Sequence, residues 1–380
     1  MTGSYAITNA KVVTRDSVID GPVHIKDGYI DRIAGDAGEA TIDFEGDYLL
    51  PGLIELHTDN VEKHFAPRAT VVWPEAISAL ASHDNQISGS GITTVLNALG
   101  VGDYKGRKAR YHALQATFKI LKEAEHTKLL RADHMFHLRC EVSDPNLIDL
   151  VTPFFDETIV RMVSITDHTP GERQWRDLKK FREYHTGFEW AVRDEDFSAF
   201  VAKRQEIQGQ CAGPNRSKIA NMCSQKDIVL ASHDDTTPEH VAMGLEEGVT
   251  LSEFPCTMEA ARLGHKHGLK IIAGAPNVVR GGSLAGNASA LDYAEEGMLD
   301  ILSSDYMPVS LVHAAFILHQ KLGLTLPTAV AKISCNTADA LGFGDRGEIC
   351  EDKRADLVRV TMAGDVPVVR QVWREGERIN

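Results

Sequence analysis

Eight short apolar runs, separated by longer stretches of helical spacing, fill the middle of this 380-residue chain. They are Leu53–His57, Thr93–Ala98, Met135–Glu141, Ile159–Asp167, Ile228–His233, Thr250–Phe254, Lys270–Gly274 and Asp300–Ser304. Each has the length and β-branched content of a buried strand. Eight strands alternating with helices predict an α/β fold, a (β/α)8 TIM-like barrel over residues 51–346. The stretch 169–227 is too long for an ordinary connection and is expected to carry extra helices, or a lid, over the barrel mouth.

The two ends of the chain read differently. "VHIKDGYIDRI" alternates around Asp27-Gly28, the composition of a tight type I′ hairpin turn. "ADLVRV" and "PVVRQVWREGERI" alternate likewise, the second broken by Glu375-Gly376. Residues 1–50 and 347–380 are therefore expected to form one small β-sandwich domain.

Several classes are excluded at this point. No run of about 18 apolar residues is present, so no membrane span is expected. The first residues alternate and lack the apolar core of a signal peptide. The six cysteines form no C-x-x-C pair and read as reduced thiols. A net charge of −14 argues against a nucleic-acid binder. The chain is expected to work in the cytoplasm as a homo-oligomer.

Polar chemistry collects where the predicted strands end, which is where barrel enzymes place their sites. "LIELHTD" ends strand one in His57 and Asp59. Strand three ends at Glu141, strand four in Asp167-His168, strand five in His233-Asp234-Asp235, and strand eight at Asp305. One histidine at a strand end is usually a hydrogen-bonded core or loop residue. Five acidic or imidazole strand ends in one barrel point instead to a metal site. Nitrogen and oxygen donors without thiolate suit zinc first, or manganese or iron. Two ions would account for the number of ligands. The tetrapeptide Ala-Ser-His-Asp occurs twice. At 231–234 it follows an apolar run, so His233 ends a strand. At 81–84 it sits in helical spacing, so His83 and Asp84 are expected on a helix surface or near substrate, not on metal.

"LLPGLIELHTDN", the strand-eight aspartate and "RGEICEDKRADLV" together resemble the amidohydrolase superfamily over essentially the whole chain. "VEKHFAPR", "SHDNQISGSGITTVLNAL", "HLRCE", "ITDHTPGERQW", "LASHDD", "GAPNVVRGGS" and "DILSSDY" resemble one branch of it, the metal-dependent hydrolases of the carbon–phosphorus lyase pathway. That resemblance implies attack of water on the phosphoanhydride of a ribose phosphonate triphosphate, with release of pyrophosphate. It implies that His57 and Asp59 hold one metal, Glu141 bridges, and His168 and His233 hold the second. Asp305 would orient the water and take its proton. The superfamily often draws second-metal histidines from strands five and six, but "TLSEFPCT" offers none. The branch carries His-x-Asp where relatives carry His-x-His; the carboxylate adds negative charge and favours harder cations.

A small phosphorylated substrate needs donors. Arg280-Gly281-Gly282-Ser283 is expected to supply a guanidinium and close backbone amides. Arg173, His64 and Arg68 are further candidates. In "PGERQWRDLKKFREYHTG" a solvated helix face explains the charge as well as phosphate does. Two other readings stay open: hydrolysis of a C–N bond in a cyclic amide or N-acetyl sugar phosphate, and a non-enzymatic protein that kept the fold.

Overall fold

The computed structural model describes residues 3–36, 38, 40–68, 71, 73–102, 108–124, 127, 129–188, 191–283 and 286–380. Eight parallel strands form the barrel: β1 (Leu53–Thr58), β2 (Ile92–Val101), β3 (Asp133–Glu141), β4 (Val160–Thr166), β5 (Val229–His233), β6 (Leu251–Glu253), β7 (Lys270–Gly274) and β8 (Leu299–Ser303). They pair in chain order from β1 to β8. All eight expected strands are present. Ile54, Leu56, Leu96, Met162, Ala231, Leu251, Ile272 and Ile301 fill the interior. Leu138, Cys140, Val163 and Ile165 face outward and pack beneath the helices.

The seam between β8 and β1 is not a full ladder. It is a single bridge, Thr58 to Asp305, with Asp305 N–H donating to the His57 carbonyl at 3.2 Å. Glu55, wholly buried, stitches the two strands together. It accepts from His57 N–H at 2.6 Å and from Ser304 N–H at 2.6 Å, with Ser303 Oγ 3.0 Å away. Burial pushes its carboxyl up to about 7 against the pull of those donors. The seam matters because His57 and Asp305 stand at its end.

The stretch after β4 does carry extra helices. A 3-10 turn at Arg173–Trp175 precedes a helix at Leu178–Tyr184, whose first amides bond to Asp177. A 33-residue helix, Asp194–Lys226, follows, and three acidic residues in its first turn complement the helix dipole. Trp175 and Phe181 are buried against Phe197 and Phe200, which fastens the short elements to the long helix.

Both termini build two sheets. One is four-stranded (Tyr29–Ile33, Val23–Lys26, Tyr5–Thr8, Thr41–Asp43). The other is six-stranded (Glu377–Arg378, Val366–Arg374, Leu357–Ala363, Tyr48–Pro51, Lys11–Val13, Val18–Asp20). Ile7, Ile25 and Ile30 of the first bury against Val12, Leu49, Leu357 and Trp373 of the second, which makes a sandwich. Asp27 and Gly28 both have positive φ, 51° and 89°, as a type I′ turn requires. Gly376 packs on that turn: a Cβ there would lie 3.2 Å from Gly28 Cα. From the six-stranded sheet the chain runs through Gly52 into β1. A Cβ on Gly52 would overlap the Thr93 side chain, so the step from sandwich to barrel needs glycine.

Candidate active site

The strand ends aim their side chains by backbone conformation. β5 and β6 are each followed at once, and β8 one residue later, by a left-handed residue: Asp234 (φ 59°), Phe254 (φ 52°) and Asp305 (φ 51°). Aspartate tolerates this region; phenylalanine does not, and such strain costs about 1–3 kcal/mol and gathers at functional sites. All three residues line one cavity of about 280 Å3. His57, Asp59, Arg139, His168 and His233 line it too, with Gln174, Trp175 and Tyr184 reaching in from the long insertion.

Two of the imidazoles share one carboxylate. His57 Nδ1 lies 2.5 Å from Glu253 Oε1, and His233 Nδ1 lies 2.6 Å from Glu253 Oε2. Ser164 Oγ donates to Oε2 at 2.7 Å. Burial alone would raise the Glu253 carboxyl; the imidazoles of His57, His137 and His233 outweigh it and hold it well below the usual range. With Nδ1 committed to Glu253, Nε2 of each ring is the atom left for a cation, the arrangement found behind metal-ligating histidines. His233 Nε2 is 3.4 Å from Asp234 Oδ2. Glu253 is not the strand-six histidine that the superfamily pattern leads one to expect. A glutamate inside the apolar run "TLSEFP" was the available signal.

Glu141 meets His168. Its Oε2 is 2.6 Å from His168 Nδ1, and its Oε1 accepts from Ser143 Oγ at 2.6 Å and His168 N–H at 3.2 Å. It therefore stands behind His168 rather than on the cavity wall. Donor atoms of His168, His233 and Asp234 lie within 4.8 Å of one another, as do those of His57, His233 and Glu253. Asp234, expected at the end of strand five but given no ligand role by the resemblance, enters the first of these groups.

Asp59 and Asp305 test whether a cation belongs here. Asp59 Oδ1 is buried without a hydrogen-bond partner among the described residues. Burial and then the charge of Asp59 push the Asp305 carboxyl above its usual range, against the pull of His57, Arg139 and His233. Facing carboxylates with an orphan oxygen, ringed by imidazole nitrogens, fit a divalent ion.

The expected phosphate donors are placed differently. "APNVVR" is a short helix, Ala275–Arg280, not a loop. Gly281 (φ 80°) ends it, and the Gly281 and Gly282 amides donate to Val278 O at 3.3 Å and Asn277 O at 2.9 Å. Those amides are consumed by the helix end and do not form a phosphate cradle. Arg280 is exposed and does not line the cavity, whereas Ser283 does. Arg173 is buried but committed: its NH1 donates to Asp235 Oδ1 at 2.6 Å and His233 O at 2.7 Å, which pins the end of β5. His64 lies 3.1 Å from Gln86 Oε1, and Arg68 is exposed; neither lines the cavity. Arg280→Ala is accordingly expected to change kcat/KM by less than about threefold, the range of a solvated surface charge. A loss beyond about tenfold in steady-state kinetics would return Arg280 to the site.

The first Ala-Ser-His-Asp copy lies on the helix Ala76–Gly89, as expected, but His83 is wholly buried there, so the surface reading fails. Its Nε2 is 2.9 Å from Asn97 Oδ1 and its Nδ1 is 3.1 Å from Asn60 Nδ2, which makes the ring a neutral Nε2–H donor. Burial, then the neighbouring His134, holds its pKa well below 6.5. A histidine depressed in the fold contributes stability above its unfolded value near 6.5, and that contribution is lost as pH falls below it. His83→Ala should leave metal content intact and lower stability by about 1–3 kcal/mol, through the unpaired asparagines. His233→Ala should lower metal content as well as rate. Equal metal loss in both variants by elemental analysis would reject this division.

No family model matches the chain. The chain is 41% identical over 377 residues to the α-D-ribose 1-methylphosphonate 5-triphosphate diphosphatase of Escherichia coli (strain K12), covering 98% of this chain and 99% of that one. Among solved structures it resembles N-acetylglucosamine-6-phosphate deacetylase from Pasteurella multocida (TM-score 0.64, 13% identity, 99% of each chain). It also resembles 5-methylcytosine deaminase from Klebsiella pneumoniae (TM-score 0.63, 16% identity, 99% of this chain and 98% of that one). At those identities the likeness concerns the fold alone. With 41% identity sustained from end to end, the chain belongs to the α-D-ribose 1-methylphosphonate 5-triphosphate diphosphatase family.

Proposed function

We propose that this chain hydrolyses the triphosphate of α-D-ribose 1-methylphosphonate 5-triphosphate, releasing pyrophosphate and leaving the 5-phosphate. The observation that carries the reading is the full-length 41% identity to the E. coli diphosphatase. The cavity supports it, because His57, Asp59, His168, His233 and Asp305 converge there.

In this reading two divalent ions, zinc in the first instance, are held by these residues. His57 and Asp59 take one. His168, His233 and Asp234 take the other. Glu141 Oε2, 2.6 Å from His168 Nδ1, would direct that ring at the ion from behind, leaving Nε2 to face it. Bound divalent ions polarise phosphoryl oxygens and lower the pKa of water. The chain's own residues do the rest. Glu253 fixes the tautomer and direction of His57 and His233. Asp305, anchored through its backbone to β1, accepts the proton of the attacking water. Trp175 and Tyr184 add aromatic walls to the same cavity. The six cysteines are all free thiols, which supports a cytoplasmic setting. No helix among the described residues is long and apolar enough to cross a membrane. Assembly of identical subunits belongs to the same reading.

Phosphorus NMR of the products tests it. Metal-loaded protein should convert the ribose phosphonate triphosphate to pyrophosphate and the 5-phosphate. Release of orthophosphate alone, or no turnover of any triphosphate in a ribose series, would reject it.

A further inference from the structure

The cavity contains a guanidinium that the assignments above leave without a task. Arg139 lies on β3 between His137 and Glu141. Leu138 and Cys140 point outward into the helix-covered core, so the alternation turns His137, Arg139 and Glu141 inward. Arg139 lines the cavity with Asp59, Asp234 and Asp305, and it is the one arginine or lysine among the described residues that do so. Its Nε is buried and has no hydrogen-bond partner among them.

Arg139 is half-buried; the fully buried arginines among the described residues are all paired. Arg173 bonds to Asp235, Arg216 to Glu247, Arg354 to Asp133 and Arg359 to Asp47. An arginine has five N–H donors and its burial is costly without acceptors. Among the described residues Arg139 meets no carboxylate in an ion pair, although three line the same cavity. Its charge nonetheless reaches Asp305, His57 and His137. A polyanion entering a cavity walled by carboxylates needs cationic contacts beyond the metal ligands. The chain's net charge of −14 supplies no general attraction.

We propose that Arg139 is the residue that grips the substrate's phosphate chain, binding oxygens of the phosphoryl group placed beside Asp305. This rests on the phosphoanhydride hydrolysis argued above. It replaces the exposed Arg280 with a guanidinium facing the reaction. A donor aimed at oxygens that gain charge acts mainly in the transition state, so its loss should fall more on kcat than on KM.

The test compares Arg139→Met and Arg139→Lys with the wild type. Four quantities are read: metal content, melting temperature, kcat and KM for the ribose phosphonate triphosphate, and calorimetric binding of inorganic pyrophosphate to the metal-loaded protein. Arg139→Met should keep its metal, lose about 10²–10³-fold in kcat/KM, and bind pyrophosphate about ten- to a hundredfold more weakly. Arg139→Lys should keep its metal and recover pyrophosphate binding only in part, because a point charge replaces a two-pronged donor. Wild-type constants in the Met variant would overturn the proposal. So would full recovery of metal, rate and affinity by lysine, which would make Arg139 a mere counter-charge to the carboxylates. If the Met variant fails to fold, the lysine variant decides, and wild-type kinetics there would sink the idea. If the wild type releases no pyrophosphate from any triphosphate yet binds it in an Arg139-dependent way, the functional reading fails and the anion site stands.

Discussion

Asp305→Asn is expected to lower kcat by about 10²–10⁴-fold, the usual cost of removing a general base, while the barrel and its cations remain. The geometry explains the separation. Asp305 sits at φ 51°, a conformation asparagine shares with little strain. Its backbone N–H bonds the His57 carbonyl and its carbonyl accepts from Thr58 Oγ1, and neither bond involves the carboxylate. Removing the charge also relieves the repulsion from Asp59 that raises the Asp305 carboxyl. The metal-free variant should therefore melt no lower than the wild type. The base works only when ionised, so wild-type kcat should fall as pH drops through its pKa, and this acidic limb should vanish in the variant. Near-normal turnover at saturating substrate would remove Asp305 from the role.

The barrel was legible because its evidence is periodic. A strand covered on both faces is a short continuous apolar run, and eight of them survive any error of a residue or two at the ends. Boundaries followed tertiary events that periodicity does not carry. β6 stops at Glu253 because Phe254 turns left-handed, and nothing about a phenylalanine announces that. The helix Ala275–Arg280 did carry its boundary signs, Pro276 in the first turn and Gly281 just past the end. Read as a phosphate loop, the same glycines were given amides that the helix had already used.

The site was legible only at the tips of strands. His57, Asp59, His168, His233 and Asp305 could be placed there by residue type and position. Glu253 and Arg139 could not, since each lies within an apolar run and gains its meaning from neighbours far along the chain. Glu253 reaches His57, 196 residues away, only when the barrel closes. Burial of a charged residue is the physical fact that sets such groups apart, and burial is a property of the fold. His83 shows the converse. Helical spacing placed it correctly, but which helix face meets β2 depends on Asn97 being there to receive it.

Glu253→Gln should cost about ten- to a hundredfold in metal affinity, the common range for a carboxylate behind a ligating histidine, with turnover falling at least as far. The glutamate accepts from two imidazoles at once, His57 Nδ1 on one oxygen and His233 Nδ1 on the other. An amide offers one oxygen. Its NH2 must face the second ring, which then flips or moves its proton to Nε2 and gives up the nitrogen meant for the cation. No shift of the side chain avoids this, because Glu253 is wholly buried and Ser164 occupies the remaining space beside Oε2. Glu141→Gln is the comparison. It disturbs His168 alone, so its loss of metal should be smaller. Chelator competition gives the affinities, and nitrogen-15 NMR of the imidazoles should show one altered tautomer in the Glu253 variant. Should metal affinity and both ring tautomers survive Glu253→Gln unchanged, Glu253 does not orient these ligands, and His57 and His233 must be held by packing alone.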